Sequence, residues 1–255
     1  MELEGKVAMI TGGSSGIGEC IAQTFAREGA RVAVVGSAQL AKAKGVADAI
    51  GKGARGYVCD VRKPAEVKTA VNQIVADFGG IDILVNAAGV FYQTPTGETD
   101  PAEIDRMVDI NLKGVWHVTG AVVPHLRARK GGYVVNFASV AGILAIPGYA
   151  MYCAVKAGII MMTKSWALEM SREGIHFNAI CPGNTATPMN ENVRTDPAMK
   201  PVLDFMEART PSGKTYSEPQ DMANLALFLA SPRTGRSIYG SVFTADEGFS
   251  AGLYV

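Results

Sequence analysis

The stretch Lys6-Val-Ala-Met-Ile-Thr-Gly-Gly-Ser-Ser-Gly-Ile-Gly18 joins a short apolar run to a glycine-rich turn. Apolar residues then recur at helical spacing at Ile17, Ile21 and Phe25, and a second apolar run, Arg31-Val-Ala-Val-Val35, follows. A strand, a glycine-rich turn, a helix and a strand within about 30 residues form the βαβ unit typical of dinucleotide binding. The stretch therefore predicts a nucleotide-binding α/β fold.

Three glycines of this turn have separate expected roles. Gly12 lets the chain turn, Gly16 lets the backbone approach a pyrophosphate, and Gly18 lets the helix pack against the strand. The helix then offers free N–H groups and the positive end of its dipole to phosphates. The spacing differs from G-x-G-x-x-G, so a glycine-rich turn without a ligand stays open as an alternative.

Apolar strands and amphipathic helices continue to alternate along the chain. The other predicted strands are Gly56–Cys59, Ile81–Val85, 133–138, Ile175–Cys181 and Ser241–Ala245. The predicted helices are Pro64–Phe78, Pro101 to about Leu126, one that carries Tyr152 to about Arg172, Val202–Ala208 and Glu218–Ala230. This alternation predicts a doubly wound, Rossmann-like parallel sheet with helices on both faces. We expect residues 1–255 to form one domain, with the irregular segment 184–217 before the last helix as a substrate lid.

Tyr152 and Lys156 lie four residues apart and therefore share a face of their predicted helix. Because an ammonium group favours phenolate, we expect Lys156 to lower the pKa of Tyr152 from its usual ~10. A general acid/base works best with a pKa near the operating pH. Ser139 ends the run 133–138 and is placed to hold the oxygen that gains or loses the proton. An exposed helical Tyr–Lys pair is the alternative if no other motif accompanies it.

Composition excludes several classes of protein. Lys plus Arg and Asp plus Glu are both 24, so the net charge is zero, which argues against nucleic acid and anionic membranes as main partners. No apolar run approaches the ~20 residues of a membrane span, and the charged start Met1-Glu-Leu-Glu-Gly-Lys6 does not resemble a signal peptide. We therefore expect a cytoplasmic protein.

Cysteines and histidines show no metal-ligand spacing. The four cysteines predict reduced, buried thiols, and the three histidines predict structural roles. We therefore predict no metal site. These residues are Cys20, Cys59, Cys153, Cys181, His117, His125 and His176.

Six motifs occur in a fixed order along nearly the whole chain. They are Thr11-Gly-x-x-x-Gly-Ile-Gly18, Asn86-Ala-Ala-Gly89, Asn111 in Asp-Ile-Asn-Leu-Lys-Gly, Ser139, Tyr152-x-x-x-Lys156, and Pro182-Gly183 with Thr187. Each motif is weak alone, but together they resemble the short-chain dehydrogenase/reductase family. The resemblance implies hydride transfer between C4 of a nicotinamide and a carbinol carbon, with the cofactor supplying the hard chemistry.

The resemblance implies four catalytic residues. Tyr152 would be the general acid/base, and Ser139 would position the substrate oxygen. Lys156 would lower the pKa of Tyr152 and hold the nicotinamide ribose, and Asn111 would support a water that relays protons from Lys156. A purely structural polar role within its helix remains an alternative for Asn111.

The resemblance also implies a cofactor site that includes Tyr152 and Lys156. Asp60 would meet the adenine and Thr187 the carboxamide or a phosphate, although Asp60 as a turn residue and Thr187 as a loop start remain open. The other implied cofactor-binding residues are Gly12, Ser14, Ser15, Gly16, Ile17, Gly18, Gly36, Ser37, Val61, Asn86, Ala87, Ala88, Gly89, Pro182, Gly183 and Thr185.

The residues at the end of the second predicted strand affect the choice between NAD and NADP as cofactor. Gly36-Ser37 stands where an acidic residue would bind the ribose 2′-OH of NAD, so nothing there repels a 2′-phosphate. The basic residues that the family often uses for that phosphate are also missing, since Ser15 and Ser37 take their places. Hydroxyls, backbone N–H groups and Lys42 or Lys44 remain as partners. We expect NADP, with NAD as the alternative.

Apolar residues surround the motifs and predict the substrate. They are Phe91, Tyr92, Ile143, Leu144, Ile146, Met151, Met189, Leu203, Phe205 and Met206. We expect a hydrophobic ketone or secondary alcohol as substrate. Packing of these side chains against one another, without a role in substrate binding, is an equal alternative. Alternatives are a 3-oxoacyl thioester reductase and a non-catalytic dinucleotide-binding regulator. A nucleotide-sugar epimerase is disfavoured because the larger C-terminal domain is missing.

Two further expectations follow from the family. We expect a homotetramer formed through the helix that bears Tyr152 and the last helix. The family often has Asp-Gly-Gly after its last strand, whereas this chain has Asp246-Glu247-Gly248, so we expect altered contacts at that turn.

Overall fold

The first apolar run forms strand β1 (Val7–Thr11), which is buried along its whole length in a computed structural model that describes residues 1–252. The other strands are β2 (Arg31–Gly36), β3 (Arg55–Val58), β4 (Ile83–Asn86), β5 (Gly132–Phe137), β6 (Ile175–Pro182) and β7 (Val242–Ala245). They form one parallel sheet in the order β3-β2-β1-β4-β5-β6-β7. The predicted parallel sheet is confirmed.

Helices cover both faces of this sheet. They are α1 (Gly16–Arg27), α2 (Leu40–Ile50), α3 (Pro64–Phe78), α4 (Pro101–Val108), α5 (Gly114–Ala128), α6 (Ala150–Met170), α7 (Glu191–Thr195), α8 (Lys200–Ala208) and α9 (Pro219–Ala230). One core packs α3, α5 and α6 on the sheet through residues such as Ile74, Val118 and Trp166. The other packs α1, α2 and α9 on the opposite face through Phe25, Val46 and Met222. The fold is therefore a doubly wound, Rossmann-like single domain.

The strand order creates a crevice between β1 and β4. These two strands are neighbours, and the chain leaves them toward opposite sides of the sheet. Thr11 pairs with Asn86, and Asn86 pairs with Asn136, so the carboxyl ends of β1, β4 and β5 lie at one edge. Ligands of open α/β sheets bind at this switch point. The predicted motifs that follow these strands are thereby brought together.

Three local features differ from the predicted elements. Helix α2 was not predicted, because its sequence buries only Ala43, Val46 and Ala47 and so has a weak apolar pattern. The long helix expected from Pro101 is divided by a π-helical turn at Asp109–Lys113. The segment 184–217 contains α7 as well as the predicted helix near Val202, now α8.

Within residues 1–252, no helix has the length and apolarity required to cross a bilayer.

Candidate active site

The glycine turn after β1 depends on the absence of side chains. Gly12 has φ +68°, and a Cβ there would lie 2.8 Å from backbone atoms of Ala87 and Ala88 in the turn after β4. A Cβ on Gly18 would lie 2.3 Å from the carbonyl oxygen of Gly12, so α1 could not pack against the turn. Helix α1 begins at Gly16, and the preceding Ser15 makes no side-chain cap. Its first N–H groups are thus free for an anion.

A cleft of about 410 Å³ opens above this turn. Its walls come from the turns after β1, β2, β3 and β4 and from the start of the segment 184–217. The predicted cofactor residues that line it are Gly12, Ser14, Ser15, Gly16, Ile17, Gly18, Ser37, Asp60, Val61, Ala87, Ala88, Gly89 and Thr187. A backbone cradle that leaves helix N–H groups free fits a dinucleotide.

Asp60 has a partner that the sequence analysis missed. The guanidinium of Arg62 donates to both carboxylate oxygens, from Nε to Oδ1 over 2.9 Å and from Nη2 to Oδ2 over 2.7 Å. These hydrogen bonds lower the pKa of Asp60. Arg62 and Arg106 both line the cleft, so it carries cations that the residues around Ser15 and Ser37 do not indicate.

Two predicted cofactor residues, Asn86 and Gly36, line neither this cleft nor the smaller cleft beside it. The Asn86 amide donates to Asn136 Oδ1 over 2.8 Å and to Thr119 Oγ1 over 3.1 Å. Its side chain therefore joins β4 to β5 and α5 in the interior. Gly36 lies behind the cleft, where a Cβ would be 3.1 Å from Ser14 Oγ. Its lack of a side chain leaves room for that hydroxyl.

A second cleft, of about 180 Å³, contains Ser139, Tyr152 and Lys156. Pro182, Gly183 and Thr185, which follow β6, also line it. It shares wall residues with the first cleft, so the two clefts adjoin. The shared residues are Ile17, Ala87, Gly89, Val90, Thr187 and Met189. The predicted catalytic side chains therefore lie next to the predicted dinucleotide site.

Tyr152 is half-buried and approaches the second cleft from the first turns of α6. Burial raises the pKa of its phenol to about 12, and a hydrogen bond with Ser139 partly offsets that rise. The expected lowering of this pKa by Lys156 is not found. The reason is that burial disfavours the phenolate, while the ammonium is engaged elsewhere.

Lys156 is buried, and its ammonium donates to the carbonyl oxygen of Phe137 over 2.8 Å. The ammonium nitrogen lies 5.6 Å from the centre of the Tyr152 ring, so the two side chains share a helix face as predicted. Burial lowers the pKa of Lys156 to about 8. The carbonyl at the end of β5 thus fixes this lysine in the cleft wall.

Asn111 lies in the π-helical turn between α4 and α5 and is fully buried. Its Oδ1 accepts from the Val90 N–H over 2.8 Å, and its Nδ2 donates to the Val90 carbonyl over 2.9 Å. Asn111 therefore fixes the loop after β4, as a structural polar residue does. π-Turns often mark functional sites. A role in proton relay stays a prediction.

The loop after β6 contains a polar atom suited to a ligand. Thr185 Oγ1 is buried without a hydrogen-bond partner in the described part of the chain, and Thr185 lines the second cleft. An unpaired buried hydroxyl is costly, so an amide that reached it would remove that cost. Together with the glycine cradle, this atom fits the carboxamide of a nicotinamide.

A network that the sequence analysis missed holds this loop. Asn190 donates to the Thr185 carbonyl over 2.8 Å and accepts from the Thr187 N–H over 3.1 Å. Arg194 of α7 donates to the Thr187 carbonyl over 3.0 Å and to Asn190 Oδ1 over 3.1 Å. No sequence pattern identified either residue, because their partners are backbone atoms of the loop.

The segment 184–217 is closed at its base. Ser217 donates its N–H to the Asn184 carbonyl and accepts from the Ala186 N–H, both over 2.9 Å. Its hydroxyl donates to Glu247 Oε1 over 3.3 Å, and Glu247 has φ +58°. The side chain at this departure from Asp-Gly-Gly thus contacts the base of the segment, and a change of contacts relative to the family stays a prediction.

Of the predicted substrate wall, Phe91, Ile146 and Met189 line the second cleft. The other residues of that prediction line neither cleft in the described structure. Ile143 and Phe205 are instead largely exposed. The apolar surroundings of the site were therefore predicted too broadly.

The four cysteines are free thiols, but only Cys59 and Cys181 are buried. Cys20 and Cys153 are half-buried, so the expectation of four buried thiols was wrong. Burial raises the pKa of Cys59 and of Cys181 to about 11.

Within residues 1–252, no group of three or more His, Cys, Asp or Glu is arranged to hold a metal ion. That the protein needs no metal remains a prediction.

Fold and site together define a dinucleotide-binding oxidoreductase. Residues 12–250 match the family model described as enoyl-(acyl carrier protein) reductase. The chain is 38% identical to the 3-oxoacyl-[acyl-carrier-protein] reductase FabG of Thermotoga maritima, over 97% of this chain and 99% of the relative. It is 42% identical to the oxidoreductase UcpA of Escherichia coli, over 99% of both chains. It is 34% identical to the D-beta-hydroxybutyrate dehydrogenase of Cupriavidus necator, over 98% of this chain and 99% of the relative.

The chain belongs to the short-chain dehydrogenase/reductase family. It is accordingly an NAD(P)-dependent oxidoreductase that acts on CH–OH and C=O groups. The names of its relatives refer to different substrates. Family membership therefore establishes the reaction class without the substrate.

Proposed function

We propose that the protein interconverts a hydrophobic ketone and a secondary alcohol with NADP, using Tyr152 as general acid/base. The observation that carries this proposal is the convergence of Ser139, Tyr152 and Lys156 in a cleft that adjoins the dinucleotide cleft. Groups that must act on one carbonyl have to lie within hydrogen-bond reach of a common point. This arrangement supports Ser139, Tyr152 and Lys156 as catalytic residues. Asn111, which holds the loop after β4 through Val90, completes the proposed catalytic set.

The protonation state of Tyr152 supports ketone reduction. A phenol with a pKa of about 12 is neutral near pH 7, so it can donate a proton to the carbonyl oxygen. The Ser139 hydroxyl lines the same cleft and lowers the pKa of Tyr152, so it is placed to hold the same oxygen. When bound, the nicotinamide supplies or accepts the hydride. In alcohol oxidation, Tyr152 has to be a phenolate before it can accept a proton, so this direction requires a higher pH than ketone reduction.

Binding of the dinucleotide is assigned to the cradle around Gly12 and to the loop around Thr185. Helix α1 directs its free N–H groups to the pyrophosphate. Thr185 Oγ1 offers the nicotinamide carboxamide a buried hydrogen-bonding group. The lid role of segment 184–217 belongs to this proposal, because closure over the cofactor would exclude water.

Charges around the adenosine end favour NADP. No carboxylate follows β2, and the carboxylate of Asp60 is paired with Arg62. The hydroxyls of Ser14 and Ser37 line the same cleft. A 2′-phosphate at this end would meet hydroxyls and a guanidinium without an unpaired anion.

A 3-oxoacyl thioester reductase is the second candidate. It uses the same proton donor and the same cofactor on a ketone that carries a thioester. It is supported by the relative from Thermotoga maritima, whose name states that activity.

A homotetramer is also proposed, since large apolar side chains of α5 and α6 are exposed on the single chain.

The test follows nicotinamide absorbance with NADPH and NADH in parallel, with hydrophobic ketones and 3-oxoacyl thioesters as substrates. We expect turnover with a higher kcat/KM for NADPH. Tyr152→Phe should lower kcat by roughly 10²- to 10⁴-fold, because it removes the proton donor and keeps the ring. Tyr149→Phe, three residues earlier on the chain, is the control. Dinucleotide binding without turnover of any substrate would favour the non-catalytic regulator instead.

A further inference from the structure

Phe91 belongs to the substrate side of the catalytic cleft and lies directly after the loop that Asn111 holds. Its ring stacks on the ring of Tyr149, with 4.8 Å between centres and 6° between planes. It also meets the ring of Tyr152 edge to face, at 4.9 Å and 75°. Both geometries are ones that aromatic pairs prefer. Two neighbours thus fix the Phe91 ring beside the proton donor.

Despite these contacts, 38% of Phe91 is exposed, and Phe91 lines the cleft. A large apolar side chain gains free energy when such surface is removed from water. Met189, from the segment 184–217, lines the same cleft and is also exposed. Methionine sulfur contacts aromatic rings favourably. A flat aromatic group that entered the cleft would therefore find an aromatic ring and a thioether in its walls.

Charge in the same cleft limits what else a substrate can carry. Among the described residues, Lys156 is the only charged side chain that lines it, and its ammonium is bound to the Phe137 carbonyl. The amide of Asn190 is engaged at both ends by the loop after β6. A carboxylate close to the reacting carbonyl would lose its water without gaining a dedicated cation.

We infer that the substrate is an uncharged aryl ketone or the corresponding benzylic alcohol, and that Phe91 selects its aromatic ring. This inference rests on the proposed function and specifies its substrate class. In the reduction, the carbonyl carbon gains a hydride from the reduced dinucleotide and the oxygen gains the proton of Tyr152. An aryl group conjugated to the carbonyl is held coplanar with it, so docking the ring against Phe91 also orients the carbonyl toward Tyr152 and Ser139.

The experiment compares three ketones with the cofactor-loaded enzyme: 1-phenylethanone, 1-cyclohexylethanone and 3-oxobutanoate. The first two have similar size, and only the first has an aromatic ring. We expect kcat/KM for the phenyl ketone to exceed that for the cyclohexyl ketone by roughly 2- to 10-fold, the value of an aromatic pair beyond its area. The oxo acid should fall at least roughly tenfold below the phenyl ketone, as expected for an unpaired buried charge.

Three variants assign the preference to Phe91. Within one variant, kcat/KM for the phenyl ketone is divided by kcat/KM for the cyclohexyl ketone. This ratio is independent of any general change in Tyr152, because such a change affects both substrates. Phe91→Leu should lower this ratio by roughly 2- to 10-fold, and Phe91→Tyr should keep it. Phe228→Leu is the matched control, since Phe228 lies on α9 and is 39% exposed, nearly the same as Phe91. It should leave the ratio unchanged.

Thermal unfolding of the enzyme–dinucleotide complex supplies a second readout. The phenyl ketone should raise Tm more than the cyclohexyl ketone does, and Phe91→Leu should remove the difference. Three results would overturn the inference while leaving ketone reduction intact. They are equal kcat/KM values for the phenyl and cyclohexyl ketones in the wild type, an unchanged ratio of these values in Phe91→Leu, and a preference for the oxo acid. If no ketone turns over, the proposed function fails, and equal Tm shifts would then reject the inference separately.

Discussion

Lys156 is a cation that the fold holds in an unfavourable place. It is buried, donates to the Phe137 carbonyl, and has a pKa lowered to about 8. Water solvates an ammonium better than one carbonyl does, so the folded chain bears a cost whenever this group is charged. Catalytic sites often contain such groups, because a perturbed pKa and a fixed position are what the chemistry requires.

This cost predicts a pH dependence of stability. The pKa of Lys156 falls from 10.5 in the unfolded chain to about 8 in the folded one. A lowered folded pKa gives stability that is present above pH 10.5 and is lost as the pH falls through about 8. Relative to Lys156→Met, the free energy of unfolding of the wild type should therefore rise between pH 7 and pH 10.5, by on the order of 3 kcal/mol.

Urea unfolding of the cofactor-free proteins at both pH values measures this difference. Lys164→Met is the control, because Lys164 lies exposed on the same helix. Its free energy of unfolding should run parallel to that of the wild type. Parallel behaviour of Lys156→Met as well would show that Lys156 has the same pKa in the folded and unfolded chains.

Single residues show where sequence reasoning succeeds and where it stops. The spacing of Tyr152 and Lys156 predicted a shared helix face, because helix geometry fixes it. The direction of the pKa shift of Tyr152 was predicted wrongly, because it depends on burial, which spacing does not give. The motif predicted Asn86 at the cofactor, whereas its side chain bonds to Asn136 in the interior. Burial decided the first of these two cases, and a contact between neighbouring strands that are far apart in sequence decided the second.

At the scale of elements, the loop after β6 depends on a short helix for its shape. Asn190 and Arg194 of the α7 region bind backbone groups of Thr185 and Thr187. Loops that bind ligands need such support, because backbone groups without partners leave several conformations open. The position of Thr185 at the candidate carboxamide site is therefore determined by a residue outside the cofactor motifs.

Removing this support should weaken cofactor binding. Asn190→Ala deletes two hydrogen bonds, each of about 1 kcal/mol, to the loop that carries Thr185 and Thr187. We expect the dissociation constant of the dinucleotide to rise by roughly 5- to 30-fold, measured by calorimetry. Asn192→Ala, an exposed neighbour on α7, should bind as the wild type does. An unchanged affinity in Asn190→Ala would mean that the loop keeps its shape without these bonds.

Most elements were predictable from sequence because their patterns are strong. Helix α3 runs from Pro64 to Phe78, with the predicted ends, since a proline begins it and Gly79 in the left-handed region ends it. Helix α2 was missed because only three of its residues are buried. The π-turn at Asp109–Lys113 was missed because it lies inside a continuous helical pattern and follows from the tertiary position of Asn111.

At the scale of the whole molecule, the strand order brings the chemistry together. The motifs are distributed from Thr11 to Thr187, yet they meet because the carboxyl ends of β1, β4, β5 and β6 share one edge. The sequence predicted this convergence, since alternating strands and helices leave few possible topologies. The outer surface could not be predicted in this way, because no pattern in the sequence shows which surface contacts another chain.

Large apolar side chains on α5 and α6 argue for assembly. Met161 is 63% and Leu168 is 86% exposed, seven residues apart on one face of α6, and Trp116 of α5 is 58% exposed. Contiguous apolar surface of this kind marks interaction sites. A second copy of the chain is the simplest partner, because a two-fold axis lets one patch cover itself.

This patch alone pairs two copies, and the expected homotetramer needs a second interface, which the sequence analysis places on the last helix, α9. With both interfaces, light scattering should give four times the 26.8 kDa mass of one chain. The double variant Met161→Ser/Leu168→Ser should lower this mass, because it replaces the apolar contact with hydroxyls that lack partners. Leu40→Ser, which changes an exposed leucine on α2, should leave the mass unchanged. The emission of Trp116 should shift to longer wavelength in the double variant as water reaches the indole. A wild type with the mass of one chain would refute assembly through this face.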